Sequence, residues 1–157
     1  MDERTEQILK TMRHIRTIQG YMTLIGTEWV ERTRRHDESK LDDIELYGYV
    51  GIAEATKGLT AGSQEYLDAL EPYKTVIRRH YILNDHHPEH FANRVNGMNL
   101  IQVLEMVCDW IAASTDREMH PMQSIDAQCT RFNIDAQLKQ IIINTMEHLG
   151  FGDYGKD

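Results

Sequence analysis

The chain has 157 residues, 41% of them apolar and 27% charged, enough for one domain that buries a core without disulfide support. Its formal charge of −8 works against general nucleic-acid binding, because a phosphate backbone rewards a basic surface, although a local basic pocket can still hold one small anion. Two cysteines, Cys108 and Cys129, with no CxxC, exclude a secreted disulfide framework, and both are expected to be reduced and buried.

The N-terminal MDERTEQILK is charged from its second residue and does not read as a signal peptide. No apolar run approaches the roughly 20 residues of a membrane span. The expectation is therefore a cytoplasmic protein. A first helix is predicted over Thr5–Arg34, where Ile8, Met12, Ile15, Ile18, Met22, Ile25 and Trp29 step by three and four. Gly20 and Gly26 weaken it, and a kink or break is expected near the second. Arg32, Arg34 and Arg35 suit a helix C-terminus.

A second helix is expected from about Ser39, with Ser39 and Asp42 resembling a capping box, and it carries Leu41, Ile44, Tyr47 and Val50. Gly58 and the Thr60–Ser63 loop end it. Ser63 suits the cap of a third helix, and Pro72 the first turn of a fourth that holds Tyr73, Val76, Ile77, His80 and Tyr81. The segment NDHHPEH, Asn84–His90, reads as a polar loop because Pro88 restricts the residue before it. A strongly apolar helix follows over Asn99–Ala113, with Leu100, Val103, Leu104, Val107 and Ile111 on the buried side. After a loop around His120 and Pro121, helices near Ile125–Arg131 and Asp135–Leu149 complete the chain, and Gly150 is a stop signal. No segment alternates with period two. The predicted fold is all-α, a single domain over 1–157 with six or seven helices and the ligand-bearing part over about 12–114.

Eight histidines is a high number, and their placement carries the chemistry. His36 and Asp37 sit at the junction of the first two helices, where an imidazole nitrogen and a carboxylate oxygen can share one cavity and suit a divalent ion such as Mn, Fe, Co, Ni or Mg. His14 lies on the preceding helix, His80 near the end of the fourth, and His86 and His87 in the loop. Asp109 stands within the apolar LEMVCDWIAA, where a lone carboxylate costs several kcal/mol unless paired, hydrogen-bonded or metal-bound. His90 reads as solvent-facing or as support to a ligand. Glu105, one turn before Asp109, could orient a ligand histidine or form a salt bridge. By themselves Lys40 and Glu45 read as exposed helix charges, Glu89 as a solvated loop residue, and Asp37 as a fair N-cap.

The order His14, His36-Asp37, His80, His86-His87, Asp109 resembles the HD superfamily of metal-dependent phosphohydrolases, and within it the branch with a two-metal centre. HDESK, from His36 to Lys40, is similar to the HDxGK of HD-GYP proteins with Ser39 in place of glycine; HHPEH is similar to their HHE loop. The chain also resembles a narrower group of small, mostly phage-associated proteins with HDxSK, NxHHPEH and EMxxDW motifs. The likeness runs from Met12 to Ser114, and the GYP portion is absent, so cyclic dinucleotides are not implied. The resemblance implies an HD-like bundle with one ion on His14, His36, Asp37 and Asp109. A second would share Asp37 with His80 and one of His86 or His87. It further implies hydrolysis of a small phosphorylated substrate, a nucleotide above all, with Lys40 and Arg35 neutralising phosphoryl charge.

Two other function classes fit the same residues: a non-catalytic binder of a nucleotide or host protein, and a di-iron oxygenase. No extended nucleic acid or membrane partner is expected, homo-oligomerisation is left open, and a phage-encoded chain would work in the host cytoplasm.

Overall fold

The computed structural model describes residues 2–115 and 119–153. Among them the structure is all-α, with no strand, as the absence of period-two patterning predicts. Seven α-helices are joined by short 3₁₀ turns: α1 (Glu3–Arg35), α2 (Asp43–Ala55), α3 (Gln64–Leu70), α4 (Lys74–Leu83), α5 (Leu100–Thr115), α6 (Pro121–Arg131) and α7 (Ala136–His148). The chain divides into two units, 1–36 and 37–157.

The first unit is α1, continuous over 33 residues. Asp2 caps it by accepting the Thr5 N–H at 2.8 Å, Glu3 and Glu6 stand at its positive end, and Arg32, Arg34 and Arg35 at its negative end. The break expected at Gly26 does not occur. Two glycines cost the helix about 2 kcal/mol in all, which capping and end charges of this kind can offset. The backbone of His36 ends it, its N–H bonding the Arg32 carbonyl at 2.9 Å.

The second unit begins with Asp37 in a left-handed conformation, φ 56°, which Asp tolerates better than most residues. A 3₁₀ turn over Glu38–Leu41 follows, so α2 starts later than the expected Ser39. Asp42 is the cap, accepting the N–H groups of Ile44 and Glu45 at 3.1 Å each. Ser63 caps α3 through the Tyr66 N–H, and Pro72 sits in the 3₁₀ turn that leads into α4. At α5, Asn99 accepts from the N–H groups of Ile101 and Gln102 while the Gln102 side chain accepts from the Asn99 N–H, a reciprocal capping box. Helix α6 begins at Pro121 rather than Ile125, because proline is preorganised for a first helical position and His120 accepts the Met122 N–H. Asp135 caps α7, and Gly150, at φ 87°, follows its end.

The apolar core lies among α5, α6 and α7: Val103, Met106, Val107, Trp110 and Ile111 meet Ile125, Cys129, Ile142 and Met146, with Trp110 stacked on Phe132. Leu100, expected on the buried side, is 79% exposed, since it opens the helix ahead of that stripe. Cys129 is buried as expected, whereas Cys108 is exposed: one residue past Val107, it is turned about 100° off the packed stripe. The apolar residues foreseen for α2 are also outside, Leu41, Ile44, Tyr47 and Val50 all being exposed. Helix α2 instead approaches α4 through glycine. A Cβ at Gly48 would stand 2.6 Å from Val76, and one at Gly51 2.6 Å from the Tyr73 ring. That close approach brings the Glu45 side of α2 against His80 on α4.

Ile125 has no solvent exposure and sits at the centre of this core. Ile125→Ala is expected to cost about 2–5 kcal/mol of stability, read as a lower denaturant midpoint with an unchanged slope.

Candidate metal centre

Helix α5 has two characters. One stripe packs the core, and the other, Gln102, Glu105 and Asp109, spaced by three and four, is polar although Gln102 and Glu105 are buried. Gln102 and Glu105 hold the loop after α4. The Gln102 amide donates to Asp85 Oδ2 at 2.6 Å, and Glu105 Oε1 lies 3.3 Å from His86 Nδ1. Farther along the loop, Arg131 of α6 bonds Glu89 at 3.2 Å, so Glu89 is held rather than freely solvated. The loop is polar in composition, as predicted, but Asn84 and His86 are buried.

His80, 2% exposed, is set from the other side. Its Nδ1 is 3.0 Å from Glu45 Oε2. Glu45, read from the sequence as an exposed helix charge, has no exposure at all. It accepts from the Ser39 hydroxyl at 2.8 Å, and the Asn84 amide donates to Ser39 Oγ and to the His80 carbonyl. The two amide protons of Asn84 are thereby spent, which leaves the His80 Nδ1 proton for Glu45 and a lone pair on Nε2. Ser39 thus belongs to this network and not to a helix cap.

With both Nδ1 atoms facing carboxylates, the Nε2 atoms of His80 and His86 each lie 3.4 Å from the same oxygen, Asp37 Oδ1. His87 joins them, its Nε2 at 2.8 Å from His80 Nε2. Asp37, His80, His86 and His87 each offer a donor atom within 4.8 Å of the others, and the same holds among Asp37, His86 and Asp109. Sequence reasoning asked for one of His86 and His87; the fold gathers both. Asp37 does not cap with its side chain; its Oδ2 takes Lys40 Nζ at 2.5 Å. Lys40 Nζ also stands 5.3 Å from the centre of the Tyr49 ring, which meets His80 edge-on.

The remaining predicted residues are placed as follows. His14 and Arg35 are exposed on α1, and His36 ends the first unit, one peptide bond before Asp37. His90 is exposed and bonds the Tyr81 carbonyl through Nδ1. Sequence reasoning missed Tyr49, Tyr81 and the role of Glu45. The one available signal was that Glu45 stands in the first turn of α2, three residues after its cap.

Burial governs the electrostatics. It lowers the His80 pKa against the opposing pull of Glu45 and Asp37. It lowers that of His87 to about 3, helped by His86 and His80 alongside. Both tyrosines beside the cluster are pushed up, chiefly by burial: Tyr49 further by Glu45 and Asp37, Tyr81 by Glu89. Imidazole nitrogens and carboxylate oxygens in one place form a donor set suited to a borderline divalent ion. Buried carboxylates behind two of the imidazoles are the arrangement that orients metal-bound histidine.

The chain belongs to a family of unknown function, DUF5662, whose model matches residues 3–148, from the first residue of α1 to the last of α7. No curated protein and no solved structure matches it.

The His87 value fixes a pH dependence for the metal-free protein. Between about 3 and the ordinary 6.5, the unfolded chain holds a proton on this ring that the folded one does not. Stability from this group is therefore complete above 6.5 and is lost as pH falls toward 3. The slope is at most about 1.4 kcal/mol per pH unit. Chemical denaturation in the presence of a chelator should show this acid loss, and His87→Gln should reduce it.

Proposed function

We propose that the protein is a metal-dependent phosphohydrolase acting on a small phosphorylated molecule, a nucleotide being the favoured class. One observation carries this reading: two buried imidazoles, each backed by a buried carboxylate, turn their Nε2 atoms to a single oxygen of Asp37. Asp37, His80, His86, His87 and Asp109 are the residues that would hold one or two divalent ions, Mn, Fe, Co, Ni or Mg. His14, His36 and Arg35 come to this reading from the sequence pattern that resembles the HD superfamily.

A divalent ion bound there would lower the pKa of a coordinated water and polarise a phosphoryl oxygen. The chain's own part is positioning. Glu45 and Glu105 hold His80 and His86 in one tautomer and one orientation. Lys40, paired with Asp37 and 39% exposed, has charge and reach to meet a phosphoryl oxygen at the rim. The phenol of Tyr49, kept protonated by burial and by neighbouring carboxylates, is a hydrogen-bond donor whose ring centre lies 5.3 Å from Lys40 Nζ.

The decisive measurement is metal content of untagged protein, followed by phosphate release from a panel of nucleotides with added Mn or Co. Bound metal and turnover are expected, with Asp37→Ala and Asp109→Ala each lowering kcat by at least about 100-fold, and Glu45→Gln weakening metal binding about 10–100-fold. Retention of a nucleotide without turnover would replace the hydrolase with a binding protein. Oxygen uptake by an iron-loaded sample would replace it with an oxygenase. Failure to bind any divalent ion would end the reading altogether.

A further inference from the structure

Three imidazoles gather at Asp37, and they are not held alike. His80 and His86 each have a buried carboxylate behind Nδ1, Glu45 for the one and Glu105 for the other. Among the described residues of the second unit, no carboxylate takes that place behind His87. Its ring is held by packing instead, with ring centres at 4.2 Å to His86, 4.7 Å to His80 and 4.9 Å to Tyr81. A ring held this way is placed only as firmly as its neighbours are. Two of those neighbours are tied to Glu45 and Glu105, so the third, Tyr81, decides how well His87 is set.

Three ties converge on Tyr81. Its carbonyl accepts from His90 Nδ1 at 2.9 Å, which brings the far end of the loop back onto α4. Its ring meets His87, and its phenol lies beside the guanidinium of Arg131. The same guanidinium bonds Glu89 Oε1 at 3.2 Å, two residues after His87. Glu89 is only 17% exposed, and its Oε2 is buried with no hydrogen-bond partner. A carboxylate sunk to that depth needs a cation beside it, and Arg131 is that cation. A planar fork with five N–H donors can serve Glu89 and Tyr81 together, which a single ammonium cannot.

Arg131 is 58% exposed, yet its place is fixed. Its guanidinium carbon stands 4.7 Å over the Phe132 ring, and Phe132 stacks on Trp110 at 5.8 Å between centres. A line of contacts therefore runs from the apolar core through Phe132 and Arg131 to Tyr81 and Glu89, which flank His87 in the chain. On the metal reading given above, we infer that Arg131 is a positioning residue of the candidate centre, acting through Tyr81 and Glu89 to set His87.

Cobalt affinity of the full chain, read by competition with a chelator, tests this together with the visible spectrum of the cobalt-loaded protein. Arg131→Ala and Tyr81→Ala are each expected to weaken binding about tenfold and to move the spectrum toward that of His87→Ala. In a His87→Ala background the Arg131 change should cost less than about twofold, because the ring it sets is gone. Arg131→Lys keeps a charge for Glu89 but loses the fork, and should fall between Arg131→Ala and wild type. Arg131, more than half exposed, can be truncated without opening a cavity in the core, so its variants remain informative even if Tyr81→Ala folds poorly. Wild-type affinity in Arg131→Ala overturns the inference and leaves the metal reading standing. So does an equal loss with and without His87, the mark of a general loosening. A wild-type chain that takes up no cobalt overturns both.

Discussion

A carboxylate with no solvent exposure has to be compensated where it stands, and Glu45 is such a group, on the side of α2 that meets α4. Leaving one buried charge unpaired costs several kcal/mol. Here Ser39 donates to it, His80 donates to it, and Arg79 lies 3.7 Å from its second oxygen. Each compensating group is then fixed in turn. Ser39 must stay in the 3₁₀ turn beside Asp37, which holds that turn close to α4. His80 must keep its proton on Nδ1, which leaves Nε2 facing Asp37 and His87. The glycines at 48 and 51 permit the approach that this pairing needs, since any Cβ there would meet Val76 or Tyr73.

The second half of the unit solves a related problem. Helix α5 carries Gln102, Glu105 and Asp109 on one side and a continuous apolar stripe on the other. With the apolar stripe left to solvent, only the polar contacts to Asp85 and His86 would hold the polar side toward the loop. Helices α6 and α7 cover the stripe, and Arg131 at the end of α6 reaches Glu89. The C-terminal third, which has no residues in the ligand pattern, therefore orients the helix that does.

Much of the architecture was legible because helical period and capping are local properties. Ser63, Asp135 and Gly150 mark helix ends where the sequence puts them, and Asp37, His80, His86, His87 and Asp109, among the residues that the histidine and aspartate spacing selected, have donor atoms that lie near one another. What failed depended on distant partners. Glu45 reads as a surface charge until Ser39 and His80 are seen around it. Ser39 reads as a cap until Asp42 is seen to be the better one. The exposed Leu41, Ile44 and Tyr47 suit a buried helix by composition, yet α2 packs through its glycines. The choice between His86 and His87 was not local either, because it turns on Glu105 standing behind one ring and Tyr81 beside the other.

The loop from Asn84 to His90 shows why these residues lie outside a helix. Two adjacent histidines on a helix point about 100° apart and cannot share a cavity. In this loop their ring centres are 4.2 Å apart and both reach the atoms around Asp37. A loop able to do this is ordinarily mobile, and mobility would blur the donor positions. This one is held at four points: Asn84 to Ser39, Asp85 to Gln102, His86 to Glu105 and Glu89 to Arg131. Those partners come from the 3₁₀ turn after Asp37, from α5 and from α6. One consequence concerns protons. With His80 Nε2 an acceptor, the proton in its 2.8 Å contact with His87 sits on His87. For both nitrogens to serve as ligands, the His87 ring would have to carry its proton on Nδ1 instead. Affinity would therefore depend on how readily that ring changes tautomer, as well as on the count of ligands.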